Sequence, residues 1–287
     1  MKIVITGSGG RLGAALMREY ARHFDLTGFN HSQLDLSDLA AIRSTLEPLE
    51  FDLLINAAAF TNVDGAERER ELAFLVNAEA PGVLADVCRN KDAKLIHFST
   101  DYVFDGQKTA AYAESDTPNP INAYGESKLA GEDAVLSVDP RHLVVRVSWV
   151  FGPDRPSFID QIIQRARECE QIAAVADKWS SPSYTRDIAQ LLGGTVLKES
   201  SGILHVANVG QCTWQQYAQH AIDCCRRAGV ALKADTVDAV TMNDMKTWIA
   251  RRPVHSVLAT NKVAELTGIQ PRPWQMALEE YVREFIT

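Results

Sequence analysis

The chain has 287 residues, of which 46% are apolar and 23% are charged, and its formal net charge is -8. This length supports one large core with or without a smaller appendage, and the composition excludes a disordered, collagen-like or coiled-coil protein. The acidic balance argues against nucleic acid or an anionic membrane surface as the main partner, but it leaves a small anionic ligand open.

Five cysteines are present without a CxxC pair or a histidine-rich ligand pattern. They predict neither a disulfide framework nor a metal site, and free thiols are typical of a reducing compartment. The chain starts with an apolar strand candidate that no basic region, long apolar run or cleavage site accompanies. We therefore expect a cytoplasmic protein with no signal peptide and no membrane span.

Short apolar runs alternate with helical patterns through the first half of the chain. Continuous apolar runs are typical of strands that are covered on both faces, and strand-then-helix repeats predict parallel pairing. We therefore predict an α/β fold with a Rossmann-like doubly wound parallel sheet. The predicted strands are KIVIT, DLTGF, DLLINAAA, KLIHFST and HLVVRVSWV. The predicted helices are RLGAALMREYARHF, DLAAIRSTLEPL, ELAFLVNAEAPGVLADVCRN and NAYGESKLAGEDAVLS.

This regular alternation ends near Gly152, beyond which the chain contains several prolines, an extended GILHVAN run and two further helical stretches. We predict a Rossmann domain over residues 1–152. Residues 153–287 are predicted to form mainly a smaller substrate-binding lobe, interleaved with the first domain, with some segments returning to the sheet.

A glycine-rich loop, TGSGGRLG, joins the first predicted strand to the first predicted helix. Gly7 would permit a tight turn, Gly10 would let backbone N–H groups approach a pyrophosphate, and Gly13 would let the helix pack closely. The spacing is G-x-x-G-x-x-G rather than G-x-G-x-x-G. Because the loop stands between a strand and a helix, we predict an NAD(P) site that also includes Arg11 and Leu12.

The second predicted strand ends at Asn30, His31 and Ser32, where many NAD-binding proteins have a carboxylate for the ribose hydroxyls. Without a carboxylate nothing repels a 2′-phosphate, so the sequence weakly favours NADPH over NADH, although these could also be plain loop residues. Further cofactor contacts are predicted at Asp35, Leu36, Ala57, Ala58 and Ala59.

The segment NAYGESK places Tyr124 and Lys128 one helical turn apart on the same face. A phenol with a pKa near 10 needs a nearby cation to act at neutral pH, and the lysine could also bind the nicotinamide ribose. The strand end FSTDYVFDG supplies hydroxyls from Ser99 and Thr100 that could hold the substrate carbonyl. Ser99, Tyr124 and Lys128 are also predicted to contact the cofactor. The pair alone would fit an ordinary surface helix, but the preceding glycine loop and strand end favour a hydride-transfer site.

Seven segments together resemble the dTDP-4-dehydrorhamnose reductase family of the extended short-chain dehydrogenase/reductases. The resemblance implies NAD(P)H-dependent reduction of the 4-keto group of a nucleotide-linked 6-deoxysugar, with Thr100, Tyr124 and Lys128 as catalytic residues, and a possible homodimer. The segments run from residue 3 to about 265 and are ITGSGGRLG, NAAAFTNVDGAE, FSTDYVFDG, AYGESKLAGE, VRVSWVFG, SPSYTRDIA and ARRPVHSVLATNKV.

The same resemblance implies a set of substrate-binding residues. A guanidinium can pair with a diphosphate and an indole can cover a sugar or base, although both side chains could equally be structural. The chain also has DKWSSPSYTRDIA where the family pattern differs, so the acceptor loop and the preferred sugar or base could differ. The implied residues are Asp64, Thr100, Asp101, Tyr102, Trp149 and Arg251.

Two other functions compete with a reductase. A dehydratase or epimerase is disfavoured because Thr100 precedes Asp101 and Tyr102, not the Asp-Glu pair that a 4,6-dehydratase uses. The chain also resembles the regulatory β-subunit of methionine adenosyltransferase, a non-catalytic binding module that retains the Tyr-x-x-x-Lys pair. A stable complex with a synthetase, together with no NADPH oxidation with any keto-sugar, would identify that alternative.

Overall fold

The computed structural model of the chain describes residues 1–194, 197 and 199–286. Among these residues we number twelve strands in chain order. They are β1 (Lys2–Thr6), β2 (Asp25–Phe29), β3 (Leu53–Asn56), β4 (Lys94–Thr100), β5 (Leu143–Val147), β6 (Val150–Phe151), β7 (Ile172–Val175), β8 (Trp179–Ser180), β9 (Ser183–Tyr184), β10 (Gly202–His205), β11 (Cys212–Thr213) and β12 (Val237–Val240).

The same residues form eleven α-helices, none of which is both long enough and apolar enough to cross a bilayer. They are α1 (Arg11–Tyr20), α2 (Leu39–Leu46), α3 (Val63–Arg68), α4 (Arg70–Phe74), α5 (Ala80–Asn90), α6 (Ala123–Val138), α7 (Phe158–Glu168), α8 (Thr185–Leu192), α9 (Trp214–Arg227), α10 (Asn261–Thr267) and α11 (Trp274–Phe285).

Six strands form one parallel sheet in the order β2, β1, β3, β4, β5, β10. The predicted doubly wound sheet is therefore confirmed. The strand order reverses between β1 and β3, and the loops that follow such strands open a crevice at the carboxyl edge of a sheet. The edge strand opposite β2 is β10, which comes from the carboxy-terminal half of the chain and is formed by the first four residues of the GILHVAN run.

Both faces of the sheet are covered by helices. Ile3 and Ile5 belong to an apolar cluster with α1 and α8, whereas Val4 belongs to a cluster with α2 and α5. This alternation follows from the two-residue period of a strand. A separate apolar core lies between α7, α9 and α11, where Tyr217 and Trp274 are buried.

Two elements differ from the sequence-based prediction. The predicted strand HLVVRVSWV ends before Trp149, because that residue adopts a left-handed φ of 43°. The single helix predicted over residues 71–90 is divided by a π-helical turn at Leu75–Glu79. Pro81 has no N–H to bond the carbonyl of Asn77, four residues earlier, which accounts for the local widening.

A buried ion pair joins α6 to the sheet. Glu132 of α6 accepts hydrogen bonds of 2.9 Å and 2.6 Å from Arg146 of β5, and the two side chains are 2% and 1% exposed. Ser99 of β4 donates a further hydrogen bond to the same carboxylate. Charges removed from water in this way are tolerated only while they remain paired, so the contact fixes α6 against two strands.

We expect Glu132→Gln to lower the free energy of unfolding by roughly 3–5 kcal/mol, because it leaves the Arg146 guanidinium buried without a counter-charge. Urea denaturation measures the change. The matched control is Asp86→Asn, which removes one carboxylate from a partly exposed pair with Arg89 and should cost less than about 1 kcal/mol. Equal effects of the two variants would contradict the structural role of Glu132.

Candidate active site

The glycine-rich loop after β1 is shaped by close backbone contacts. Gly7 has a φ of +71°, and a Cβ on it would lie 2.6 Å from the Ala58 nitrogen. A Cβ on Gly13 would lie 2.2 Å from the Gly7 carbonyl oxygen. Both positions therefore require glycine, because a side chain would clash with the backbone, as the spacing of the glycines predicts.

The amino terminus of α1 opens from this loop. Gly10 is its N-cap residue, and no side chain caps the helix. Its first N–H groups are therefore free of side-chain caps, as an anion-binding helix end requires. Arg11 instead directs its guanidinium to the Val150 and Arg155 carbonyls, at 3.2 Å and 3.0 Å, and Leu12 packs in the core. These two residues therefore have their side chains directed away from the glycine loop.

A cavity of about 580 Å³ lies beside the loop and holds the three residues predicted at the end of β2. The side-chain oxygen of Asn30 accepts a hydrogen bond of 2.7 Å from the Ser32 hydroxyl, and His31 is exposed. Arg155 also lines this cavity and donates to the Gly9 carbonyl at 2.9 Å. Sequence reasoning missed Arg155 because it lies far from the glycine loop in the chain.

A neighbouring cavity of about 320 Å³ is lined by Asp35 and Leu36, which were predicted as further cofactor contacts. Ala58 borders both cavities, and Ala57 borders the larger one. Ala59 follows them in the chain but lines neither cavity. The two cavities together extend from the glycine loop along the end of β2, and most of the residues predicted for the cofactor after β1, β2 and β3 line them.

Tyr124 lies in the first turn of α6. Asn122 is the N-cap residue, and its side-chain oxygen accepts the Gly125 N–H at 2.7 Å. Burial raises the pKa of Tyr124 to about 12, and a hydrogen bond with Thr100 opposes that shift. The phenol is therefore protonated at neutral pH, which is the form that can donate a proton.

Thr100 ends β4 and reaches Tyr124. Its hydroxyl donates a hydrogen bond of 3.2 Å to Asp101 and accepts one of 3.2 Å from the Tyr102 N–H. Ser99 points to the other face of the strand, as the two-residue period dictates, and bonds Glu132 there. The structure thus brings Thr100 to α6 and directs Ser99, which was predicted to contact the cofactor, into the buried ion pair.

Lys128 lies one turn beyond Tyr124 and is fully buried. Its ammonium donates a hydrogen bond of 2.7 Å to the Phe98 carbonyl and lies 3.3 Å from His97 Nε2. Burial lowers the pKa of Lys128 to about 8, although Glu132 opposes this effect. The side chain is therefore a cation at neutral pH, and it loses its proton when the pH rises only slightly.

A buried polar chain sets the orientation of the His97 ring. The oxygen of the Asn56 amide accepts hydrogen bonds from the Thr6 hydroxyl at 2.7 Å and the Ala58 N–H at 3.1 Å. The amide nitrogen of Asn56 therefore faces His97 Nδ1, at 3.0 Å, and Nδ1 is the acceptor. The proton of the neutral ring then lies on Nε2, opposite Lys128, where it disfavours the charged ammonium.

The residues after Thr100 form a second buried layer. Asp101 accepts a hydrogen bond from the Ser256 hydroxyl. The Tyr102 ring makes an edge contact with the Tyr124 ring, with centroids 5.7 Å apart, and the Lys178 ammonium lies 4.9 Å from the Tyr102 centroid. Lys178 belongs to the segment that departs from the family pattern, and no local sequence signal marks it as buried.

Asp64 holds the segment that carries Arg251. Its carboxylate pairs with both terminal nitrogens of the Arg252 guanidinium at 2.7 Å and accepts the N–H groups of Ile249 and Ala250. The hydrogen bonds from Arg252 and then from these N–H groups hold the pKa of Asp64 well below its usual range. Asp64 is therefore engaged by Arg252, whereas Arg251 itself is exposed.

Trp149 forms part of an aromatic cavity of about 360 Å³ that also includes Phe158, Trp214 and Tyr217. Its ring stacks on Tyr217, with centroids 6.2 Å apart, and its indole nitrogen is buried without a hydrogen-bond partner. A left-handed tryptophan is strained, and residues of this kind cluster at functional sites. The cavity is thus lined by aromatic faces and by two residues with unused donors, the indole of Trp149 and the hydroxyl of Tyr217.

These observations define the class of the protein. The parallel sheet carries a glycine-rich loop at the point where its strand order reverses. A threonine, a tyrosine and a buried lysine lie on the neighbouring strand β4 and helix α6. This architecture is that of a Rossmann-type NAD(P)-dependent reductase. The model of one family, described as the RmlD substrate binding domain, matches residues 1–287.

Known proteins specify the class further. A dTDP-4-dehydrorhamnose reductase from Burkholderia thailandensis is 34% identical over 100% of both chains. A probable dTDP-4,6-dihydroxy-2-methyloxan-3-one 4-ketoreductase from Streptomyces antibioticus is 35% identical over 98% of this chain and 94% of its own. The structure of a dTDP-4-dehydrorhamnose reductase from Bacillus anthracis in complex with NADP superposes with a TM-score of 0.91, at 32% identity and 99% coverage of both chains. The chain belongs to the dTDP-4-dehydrorhamnose reductase family.

Two buried lysines, Lys128 and Lys178, and the partly buried Lys94 are expected to titrate far below the usual lysine pKa of about 10.4. Burial lowers the pKa values of Lys94, Lys128 and Lys178 to about 8. In chain labelled with ¹³C at lysine Cε, we expect three resonances to titrate near pH 8. Lys128→Arg and Lys178→Arg should each remove one of them. If Lys128→Arg left all three resonances in place, the predicted desolvation of Lys128 would be wrong.

Proposed function

We propose that this chain reduces the 4-keto group of a dTDP-linked 4-keto-6-deoxysugar to the alcohol, giving dTDP-rhamnose or a close relative. The observation that carries the proposal is that Thr100, at the end of β4, contacts Tyr124, while Lys128 one turn along α6 bonds the carbonyl of Phe98 in the same strand. Bound NAD(P)H would supply the hydride. The loop that admits no Cβ and the uncapped end of α1 fit its pyrophosphate.

Tyr124 is the proposed proton donor to the carbonyl oxygen, because its raised pKa keeps it protonated at neutral pH. Thr100 would hold the same oxygen, and for this its hydroxyl must turn from Asp101 toward the substrate. Lys128 would stabilise the phenolate that remains after proton transfer. Its ammonium form is lost as pH rises through about 8, so we expect reduction to slow above that pH.

The sugar nucleotide is assigned to the other side of Tyr124. Asp101 and Tyr102 lie directly behind the reacting hydroxyls, and Trp149 offers an aromatic face for the sugar or base. Arg251 is the proposed diphosphate contact, because Asp64 fixes the backbone that carries it while its own side chain reaches solvent. Asp64 itself would act by holding this segment rather than by touching substrate.

Arg155 supports a preference for NADPH. It lies in the same cavity as His31 and Ser32, where a 2′-phosphate would replace the ribose hydroxyl. A guanidinium pairs well with phosphate, and the three predicted residues at this strand end include no carboxylate that would repel it.

The proposal also covers location and assembly. The five cysteines are free, and four of them are buried, which fits a protein of the reducing cytoplasm. A homodimer is the assembly that the family resemblance implies. Sedimentation equilibrium at several protein concentrations measures it.

We expect Tyr124→Phe to lower kcat by roughly 10²- to 10⁴-fold, because the variant keeps the ring and loses the proton donor. The assay follows NADPH oxidation with a panel of dTDP-4-keto-6-deoxysugars. Tyr20→Phe is the matched control. The buried hydroxyl of Tyr20 donates a hydrogen bond to the Ala189 carbonyl and contacts none of the three proposed catalytic residues among the contacts that the structure describes. Full activity in the Tyr124 variant would refute the mechanism. No turnover of any sugar by the native chain would favour the regulatory module.

We expect Arg155→Ala to raise KM for NADPH by roughly 10-fold and to change KM for NADH much less, because a charge-assisted contact to the 2′-phosphate is lost. Arg18→Ala is the control, since Arg18 is exposed nearby and pairs with Asp154. An equal rise for both cofactors would show that Arg155 shapes the loop without selecting the cofactor.

A further inference from the structure

Three side chains with metal-binding atoms meet between α9 and α11, away from the crevice. His220 and Cys224 are four residues apart on α9 and therefore share one face of that helix. Glu279 reaches them from α11. The ring nitrogen, the thiol sulfur and a carboxylate oxygen all lie within 4.8 Å of one another. The cluster brings together nitrogen, sulfur and oxygen ligands from two helices of the second apolar core.

The His220 ring is oriented as a ligand. Its Nε2 is buried, has no hydrogen-bond partner, and lies 3.5 Å from the Glu279 carboxylate. The Gln275 carbonyl bonds the ring, which places that hydrogen bond on Nδ1. A metal-bound histidine typically donates one ring N–H to a backbone carbonyl and keeps the other nitrogen for the metal. A buried ring nitrogen without a hydrogen bond costs free energy, so the unused Nε2 of His220 is a candidate metal ligand.

A cation already lies at this place. One terminal nitrogen of the Arg227 guanidinium lies 3.0 Å from the Glu279 oxygen and 3.2 Å from the Cys224 sulfur. The same nitrogen therefore contacts two of the three potential ligands at once. The Arg227 side chain is 57% exposed, so it can turn into solvent without opening the core.

We propose that His220, Cys224 and Glu279 bind a divalent transition-metal ion of the zinc type, which replaces the Arg227 guanidinium. Imidazole, thiolate and carboxylate are the ligands that zinc accepts at about 2.0–2.3 Å in tetrahedral sites. Water from the exposed side of Glu279 supplies the fourth ligand. On binding, the S–H bond of Cys224 breaks, its proton passes to solvent and the thiolate sulfur bonds the ion, without any change in oxidation state.

The test uses the full chain without an affinity tag, freed of metal by a chelator and titrated with Co²⁺ as a spectroscopic probe. We expect one ion per chain, with a near-ultraviolet thiolate-to-cobalt band and the visible bands of a four-coordinate ion. Cys224→Ser should abolish the thiolate band. Cys169→Ser is the control, because that exposed thiol lies outside the cluster and should not affect the band.

Two further variants keep the test decisive if a buried substitution disturbs folding. Glu279→Gln changes an exposed side chain and should weaken binding by roughly 10-fold or more, since a ligand charge is lost. Arg227→Ala removes the competing cation and should tighten binding. The proposal is overturned if native chain shows no thiolate band. It is also overturned if the band depends on Cys169, or if Arg227→Ala and Glu279→Gln bind as the native chain does.

Discussion

The attachment of α6 to strands β4 and β5 is the contact on which the crevice depends. Glu132 is held by Arg146 and by Ser99 at the centre of the helix, and Lys128 bonds the Phe98 carbonyl one turn earlier. These contacts are buried and charged, so a rotation of the helix would break them together. The position of Tyr124 relative to the strand end follows from that restraint.

The same restraint sets the electrostatics of the site. Fixing Lys128 against the sheet removes its ammonium from water and places it opposite the N–H of a neutral His97, and both effects weaken its charged form. The phenol of Tyr124 is shifted the other way, because burial disfavours phenolate. A protonated phenol and a weakened cation are thereby one helical turn apart, and pKa values that are perturbed in this way are common at functional sites.

Residues beyond 152 reach this crevice through a few polar contacts that join distant parts of the chain. Arg11 bonds carbonyls just beyond β5 and β6, and Arg155 returns to the Gly9 carbonyl. On the opposite side, Asp64 holds the backbone before Arg252. The glycine loop and the proposed substrate residues are therefore joined by side-chain hydrogen bonds and not by a shared strand. These bonds hold the aromatic cavity in a fixed position beside the glycine loop.

The sequence by itself determined the parallel sheet, the glycine loop and the helix that carries Tyr124 and Lys128, because apolar periodicity, glycine spacing and helix capping act over a few residues. Only the tertiary structure decided that Ser99 serves the buried ion pair, that Arg252 and not Arg251 pairs with Asp64, that Arg155 enters the cofactor cavity, and that Glu279 meets His220 and Cys224. In each case the partners come from parts of the chain that are tens of residues or more apart. Neighbouring side chains of the same type, such as Arg251 and Arg252, differ only in the direction that the folded backbone gives them. Hydrogen bonds and ion pairs of this kind depend on distances that the fold creates, and local sequence patterns carry no record of those distances.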